Sequence, residues 1–456
     1  GGSVISVTNA GAVSLKHLTI TGGDGSGNCG TDGCGGGVYA RNTDLHVWYC
    51  TITDNVGSRS GSGKGGGIYV WNDIGHIASA DVYSNEIRSN TASTAGSGQG
   101  GGLFLHTANP TSPAQIRSNR IRDNVGSTSG QGTGGGMFLH YYAILRDNLF
   151  HRNIGGRGDG LTGRGGGLHL HYAPGVTIDA NRFIDNAASM PDDGSQIYGP
   201  GTGGAIQGYS LAVFTMTNNL LAGNLATSAG GGIYLDGWKA TRGITALLTH
   251  NTLVGNESPI GSEAIWMSQY VKVEAVNNII AGHTTGVTIT VPASSTLYAY
   301  SNLFWNSADP IVGGGATLRD PRLSVTHYPC AGSPAIDKGI DVSWLTADLD
   351  GNARSPGSYD LGALEGQDVC YDAYLPLAAN RYPSQMVPLF ADDFENGESS
   401  GWVFTAGIWT SPSGHLRGDS AAENAWGTHT WTGSGIAYEG TVTLVSGRAA
   451  GLGPAD

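Results

Sequence analysis

The chain has 456 residues; 76 of them are glycine, 13% are charged, and the formal net charge is −13. This length corresponds to two or three ordinary domains or to one long solenoid. The sequence has no basic run, which excludes nucleic acid as a partner. No apolar run reaches the roughly 18 residues of a membrane-spanning helix, so the chain is not expected to span a membrane.

A glycine-rich motif followed by alternating apolar residues recurs through the first two thirds of the chain. The first apolar residue after each motif is Val38, Ile68, Leu103, Met137, Leu168, Ile206, Ile233 and Ile265. The loops between motifs vary in length while the strand-like segments do not, and helical periodicity is absent. One coil per repeat, with insertions confined to one corner, is typical of a solenoid. We therefore predict an all-β fold, with a right-handed parallel β-helix over residues 1–317.

A second motif, Asn-x-apolar-x-x-Asn, runs in phase with the first. It occurs as NEIRSN, NRIRDN, NLFHRN, NRFIDN, NLLAGN and NTLVGN, from Asn85 to Asn256. Asn tolerates left-handed backbone, and its amide can bond to the equivalent Asn one coil away. The motif predicts asparagines that stack at one corner of the solenoid.

Residues alternate between the two faces of a strand, so those between the inward apolar positions should point outward. They predict two outward columns of aromatic and imidazole side chains, which we call the strip: Tyr39, Tyr69, Trp71, Phe104, His106, Phe138, His140, His169, His171, Tyr209, Tyr234, Asp236 and Trp266. Three alternatives follow: the strip binds a glycan, a neighbouring protomer covers it, or the Gly-rich loops fold over it. A bare strip is not expected.

Catalysis has weaker support. Glycoside hydrolases need two carboxylates, and the strip offers only Asp236, with Glu263 just outside it. No catalytic residue is predicted, so the sequence favours a protein that is not an enzyme. If it is one, a polysaccharide lyase or hydrolase is expected.

The glycine motifs, such as KGGGIYV and AGGGIYLD, resemble the repeats of bacterial surface β-helix proteins, including polymorphic outer-membrane proteins and polysaccharide-lyase-like passenger domains. The resemblance covers roughly residues 1–320. It implies the fold and says little about activity, because this scaffold hosts lyases, hydrolases, adhesins and inert fibres.

Residues 318–370 break the repeat. The phrases AGSPAIDKG, DLDGNARSPG and YDLGALE resemble the C-terminal module of bacterial choice-of-anchor β-helix proteins. An open β-helix end exposes strand edges, so we predict that this segment caps the solenoid. The DLDG run suggests a Ca²⁺ site at Asp348 and Asp350, or else an Asp-stabilised turn; no other cofactor is expected.

Residues 371–388 read as a proline-containing linker, and residues 389–456 resemble the start of a laminin-G or concanavalin-like β-sandwich. The roughly 68 residues of this partial β-sandwich are too few to close a sandwich. Strands such as Gly401 to Thr410 and Ile436 to Leu444 would keep open edges. These edges predict self-association.

The cysteines allow disulfides between Cys330 and Cys370 and between two of Cys29, Cys34 and Cys50, which leaves one free. The composition favours an oxidising, extracellular compartment. Together, these patterns predict a secreted structural or adhesive protein of the bacterial cell surface, which self-associates into a filament or sheath or binds another surface protein. The alternative is a β-helix protein that binds or cleaves a polysaccharide.

Overall fold

A computed structural model shows the right-handed parallel β-helix that the repeats predict. The structure describes residues 2–366, except 77, 193, 194, 196, 260–262 and 307–315, and four short strands beyond them. The chain divides into two compact units, Gly1–Tyr374 and Leu375–Asp456. Within the described part, the single helical element is the 3₁₀ turn Ala240–Arg242, and no helix is long and apolar enough to cross a membrane.

Each coil passes through up to four parallel sheets, named sheets 1 to 4 in chain order. Sheet 1 bends at a corner into halves 1a and 1b, and three strands run through both halves: Met137–Arg146, Leu168–Asp179 and Ile206–Thr217. The other strands of sheet 1a are Ile5–Thr8, Val38–Arg41, Ile68–Asn72, Leu103–Thr107, Ile233–Asp236, Glu263–Met267 and Thr285–Ile289. Those of sheet 1b are Ala12–Lys16, Asp44–Trp48, Ala80–Tyr83, Ala114–Arg117, Ile244–Thr249, Val271–Val276 and Thr296–Tyr300.

Sheet 2 is the longest uninterrupted face after sheet 1. Its strands are Thr19–Thr21, Thr51–Thr53, Glu86–Arg88, Arg120–Arg122, Leu149–His151, Arg182–Ile184, Leu220–Ala222, Thr252–Val254, Ile279–Ala281, Leu303–Trp305 and Thr317–Leu318. Sheet 3 contains Val56–Ser58, Thr91–Ser93, Val125–Ser127, Ile154–Arg157 and Ala187–Met190. Sheet 4 contains Gly33–Cys34, Gly63–Lys64, Gly98–Gln99, Gly132–Thr133, Gly163–Arg164 and Gly201–Thr202.

The core is a stack of aliphatic columns inside the coils. The predicted column is confirmed, because all its members from the second coil to the eighth are fully buried: Val38, Ile68, Leu103, Met137, Leu168, Ile206 and Ile233. Its register is also as predicted, with Ile68 opposite Leu103 and Leu103 opposite Met137. Burial of each such side chain stabilises the fold by about 1.5–3 kcal/mol.

The asparagines form two ladders, so the prediction of one corner is wrong. One ladder lies between sheets 1b and 2 and contains Asn85, Asn119, Asn148, Asn181, Asn219, Asn251, Asn278 and Asn302. The other lies after sheet 2 and contains Asn55, Asn90, Asn124, Asn153, Asn186, Asn224, Asn256 and then His283. Two ladders form because the two asparagines of each motif lie at opposite ends of a three-residue strand of sheet 2, and therefore at two different corners. Within each ladder the Nδ2 of one Asn donates to the Oδ1 of the next, and at the end of the second ladder Asn256 Nδ2 lies 3.3 Å from His283 Nε2.

The left-handed backbone at these corners belongs to the residue before each ladder asparagine. Ser89 and Asp123 have φ of 53° and 55°, and they precede Asn90 and Asn124. The ladder asparagine is therefore selected for its amide, which satisfies buried backbone groups.

His283 replaces asparagine at the end of the second ladder and provides a test by pH. Its Nε2 accepts from the backbone N–H of Asn256, and burial lowers the pKa of His283 to about 3. Between pH 6.5 and 3 the unfolded chain binds the proton and the folded chain does not, so stability falls as pH falls. We expect His283→Asn to keep the ladder and to reduce this loss by about 1.4 kcal/mol per pH unit.

Urea unfolding at pH 7, 5.5 and 4.5 measures the difference in slope between parent and variant. His140 and His250 have their pKa lowered to about 3 for the same reason, so the variant keeps part of the slope. Identical slopes in parent and variant would contradict the assignment.

Residues 318–366 pack along the outer face of sheet 2. Leu349, Leu361 and Leu364 join a cluster with Val254 and Ile279. The outward positions of sheet 2 are charged in the third and fourth coils, in Glu86–Arg88 and Arg120–Arg122, and become largely apolar in NLLAGN and NTLVGN, where this segment docks. The role of this segment as a cap of the open end stays a prediction.

Arg354 anchors the segment to the solenoid. Its side chain is fully buried and pairs with Glu365, and it donates to Asn218 Oδ1 (3.0 Å) and to the carbonyl of Gly362 (2.8 Å). These bonds compensate for burying the charge.

Cys29 and Cys34 form a disulfide, and Cys50 is a buried free thiol. This is one of the pairings that the sequence allows among these three cysteines. Cys330 is also in a disulfide; Cys370 lies outside the described residues. The second unit shows two antiparallel pairs, Trp402–Phe404 with Gly427–His429 and Ile408–Thr410 with Arg417–Asp419. The predicted linker and the strand from Ile436 to Leu444 lie outside the described residues, and the predicted domain boundaries stay predictions.

Candidate functional site

The strip lies on the outer face of sheet 1a, in the predicted register. Tyr69 is opposite Phe104, and Trp71 is opposite His106. Neighbouring rings of the first column stack with centroids 5.1 to 5.3 Å apart from Tyr39 to His169. This spacing follows from the distance of about 4.8 Å between strands.

The first column is covered by the chain itself. Tyr69, Phe104, Phe138 and His169 are at most 5% exposed. They pack beneath sheet 4, the short strands that precede each glycine motif, and Cys34 of that sheet belongs to the same cluster as Tyr69. Of the three alternatives predicted for the strip, cover by the Gly-rich segments of the chain applies to these four residues. A ligand at the surface therefore does not contact them.

The second column is more exposed than the first, and contacts between histidine rings connect its members. Trp71 stacks on His106 with centroids 3.7 Å apart, and His140 Nε2 lies 3.1 Å from His171 Nδ1. Burial lowers the pKa of His106 and of His171, and it lowers the pKa of His140 to about 3. The imidazoles are therefore neutral at pH 7, when one nitrogen of each pair can donate and the other accept.

The strip opens into a cleft of about 170 Å³ in its later coils. Tyr209, Tyr234 and Asp236 line it from sheet 1a, and all three are half-buried. Sheet 4 and the loops before it contribute the remaining side: Thr162, Gly163, Arg164, Pro200, Thr202, together with Gln207 beneath. Trp266, one coil beyond Tyr234, is also half-buried.

The corner between sheets 1a and 1b is strained beside this cleft. Tyr141, Tyr172, Trp238 and Tyr270 have φ of 74°, 50°, 58° and 54°. Positive φ is uncommon for bulky residues and costs about 1–3 kcal/mol at each, and such strain clusters at binding sites. In the first coils Asn9 and Asn42 occupy this corner, and for asparagine the same backbone costs less.

The turn that carries Trp238 places cations next to the aromatic rings. Arg242 Cζ lies 4.7 Å from the ring centre of Tyr172 and 4.9 Å from that of Trp238. Lys239 Nζ lies 4.9 Å from Trp238, whose side chain is 46% exposed. The cleft and this turn together offer ring faces, hydroxyls, one carboxylate and guanidinium groups.

Asp348 and Asp350 form a hydrogen-bonded turn. Asp348 Oδ1 accepts from the backbone N–H groups of Asp350 (2.9 Å) and Asn352 (2.8 Å), and its Oδ2 accepts from that of Glu365 (2.9 Å). Asp350 pairs with Arg182. No group of three or more His, Cys, Asp or Glu side chains within the described ranges is arranged to hold a metal ion. This geometry is that of the Asp-stabilised turn and gives the predicted Ca²⁺ site no support.

Sequence reasoning missed Arg164, Tyr141, Tyr172, Trp238 and Arg242. A signal for two of them was available, since Tyr141 and Tyr172 each stand four residues after the inward Met137 and Leu168. Trp238 and Arg242 lie in the connection between sheets 1a and 1b, whose length and sequence vary from coil to coil, so spacing does not find them.

No protein-family model and no curated protein sequence matches the chain. Among solved structures it is similar to pectate lyase Pel9A (TM-score 0.37, 15% identity, 78% of this chain and 86% of that one). It is also similar to XylC with xylose (0.34, 11%, 74% and 66%) and to alginate lyase AlyGC (0.31, 13%, 70% and 51%). The chain thus spans about two thirds of XylC and about half of AlyGC. The likeness is one of fold.

Proposed function

We propose that this chain is a polysaccharide-binding β-helix protein of the bacterial cell surface, with its site in the cleft and the adjoining turn at Trp238. The observation that carries the proposal is the row of half-open rings, Tyr209, Tyr234 and Trp238, beside Arg164 and Asp236. Tyr and Trp present an apolar face to a sugar ring and a polar group to its hydroxyls, and a few fixed polar groups orient a ligand.

Surface location and the structural or adhesive role stay part of the proposal. They are supported by the resemblance of the glycine repeats to surface proteins and of residues 318–370 to an anchor module. Self-association stays a prediction, which light scattering with and without residues 389–456 tests. Binding takes precedence over hydrolysis in the proposal because Asp236 is the single carboxylate among the described residues that line the cleft, whereas hydrolases use two.

Binding to a panel of immobilised polysaccharides tests the proposal. We expect at least one polymer to bind, and we expect Trp238→Ala to weaken that binding about fivefold to tenfold, because an exposed ring in a binding site commonly contributes more than 1 kcal/mol. The matched control is Trp344→Ala, since Trp344 is 60% exposed and lies in the segment that follows the solenoid.

Three results count against the proposal. Failure to bind any polymer of the panel contradicts it outright. Equal affinity of the parent and Trp238→Ala moves the site away from the turn. Release of unsaturated or reducing ends on incubation with the bound polymer shows an enzyme instead.

A further inference from the structure

Most described arginines of this chain are neutralised by an acidic neighbour. Nine of them form ion pairs: Arg41, Arg59, Arg117, Arg120, Arg122, Arg146, Arg152, Arg182 and Arg354. Arg164 and Arg242, which border the proposed site, form no ion pair with any residue of the described ranges. Arg88 of sheet 2 and Arg319 and Arg322 of the segment after the solenoid are also unpaired within the described ranges, but they lie away from the proposed site. Two unpaired guanidinium groups at one site are unexpected in a chain with a net charge of −13.

The two arginines approach the second column of the strip from opposite edges of sheet 1a. Arg164 belongs to sheet 4, which precedes sheet 1a in each coil, and it is half-buried in the cleft wall. Arg242 lies in the turn that follows sheet 1a, stacked against Tyr172 and Trp238. Stacking restrains the guanidinium group, while its N–H groups find no acceptor within the described part of the chain.

His171 lies between them, and it is kept uncharged. Burial, and then the positive charges of Arg242 and Arg164, lower the pKa of His171. Its other ring neighbours are Phe138, His140, His169, Tyr172 and Tyr209. Burial also lowers the pKa of His169. A neutral imidazole here adds a hydrogen-bonding group without adding a third positive charge.

We infer that the polysaccharide bound in this cleft is a polyanion whose carboxylate or sulfate groups are held by Arg164 and Arg242 on the two sides of His171. The inference rests on the proposed function. Guanidinium binds either anion through paired N–H donors. Asp236, whose Oδ1 accepts from the backbone N–H of Trp238 (3.0 Å), faces the same cleft and would accept from a sugar hydroxyl between the charged groups.

Two matched pairs of polymers test the inference. Galacturonan as free acid and as full methyl ester share a backbone and differ in carboxylate charge, and dextran sulfate and dextran differ in sulfate charge. We expect the charged member of at least one pair to bind about tenfold more tightly or more, the range for a charge-assisted hydrogen bond. Preference in one pair alone identifies carboxylate or sulfate as the recognised group.

Arg164→Gln and Arg242→Gln should each remove most of that preference and weaken the dependence of affinity on salt. Arg146→Gln is the matched control, since it removes the same charge from an arginine of sheet 1b that is paired with Asp179. Thermal unfolding of each variant separates lost binding from lost folding.

The failures are distinguishable. Equal binding of charged and neutral members overturns the polyanion and leaves the proposed function standing. Arg164→Gln and Arg242→Gln that bind the charged polymer as well as Arg146→Gln overturn the placement of the anion. Absence of binding to every polymer of both pairs and of the panel overturns the proposed function together with this inference.

Discussion

Asn153→Ala is expected to destabilise the solenoid by about 3–5 kcal/mol. Asn153 Nδ2 donates to Asn186 Oδ1 (2.9 Å) and to the carbonyl of Ile121 (2.8 Å). Its Oδ1 accepts from the backbone N–H and the Nδ2 of Asn124 (3.2 and 2.9 Å). Truncation leaves several of these buried groups without a partner, and each such group costs about 1–3 kcal/mol.

Urea unfolding measures the loss, and hydrogen exchange at the backbone N–H of Asn124 locates it. Coils contact only their neighbours, so protection should fall around the fourth and fifth coils first. The control is Asn28→Ala, which removes an exposed asparagine whose Nδ2 donates to Ser3 Oγ and to the carbonyl of Cys34 and should cost less than about 1 kcal/mol. Equal stability of the two variants would show that the ladder contributes no more than an ordinary surface bond.

The part of the fold that could be predicted is the part that follows from alternation along a strand. One inward residue per repeat fixes the face of its neighbours, which is why the inward column and the pairing of Tyr69 with Phe104 are both as predicted. To predict two ladders, one has to know that the residues between the asparagines of NRIRDN form a strand of their own. The sequence motif alone does not show this, because three residues between two asparagines can form either a strand or part of a single corner.

The site was harder to predict because cover and exposure depend on contacts between elements far apart in the repeat. Phe138 was grouped with Tyr209, yet Phe138 is buried beneath sheet 4 and Tyr209 lines an open cleft. The difference arises because Phe138 belongs to the first column, which sheet 4 covers, whereas Tyr209 belongs to the second column. Gln207, the first-column residue in the coil of Tyr209, is also buried. Arg242 comes from a connection between sheets 1a and 1b that varies in sequence from coil to coil, and only the structure shows that no acidic side chain of the described residues pairs with it.

The outer face of sheet 2 is a second place where the sequence shows a change of surface but not the contact that explains it. Leu220 and Val254 stand at outward positions where earlier coils have charged residues, a change that is visible in the sequence. What covers them is not visible there, since Leu349 and Leu361 are about a hundred residues further along the chain.

Gly163→Ala is expected to destabilise the solenoid by about 3 kcal/mol, close to the effect of removing a ladder asparagine. A Cβ atom at Gly163 would lie 1.5 Å from the carbonyl oxygen of Ala188 and 2.4 Å from its carbon. Both atoms are backbone, so no side-chain rotation relieves the clash, and sheets 3 and 4 would have to separate. Overpacking that moves backbone costs about 1–3 kcal/mol or more, and separating the two sheets places this case at the upper end of that range.

The matched control is Gly11→Ala, because a Cβ at Gly11 meets nothing within 4 Å, and its melting temperature should equal that of the parent. Arg164 follows Gly163 in the same two-residue strand, so displacement of that strand should also weaken binding to whichever polysaccharide the parent retains. Melting temperature and affinity should therefore fall together in Gly163→Ala, whereas Arg164→Gln should lower affinity alone. A Gly163→Ala variant with the melting temperature of the parent would show that sheets 3 and 4 are not in direct backbone contact, and the wall of the cleft would then need another origin.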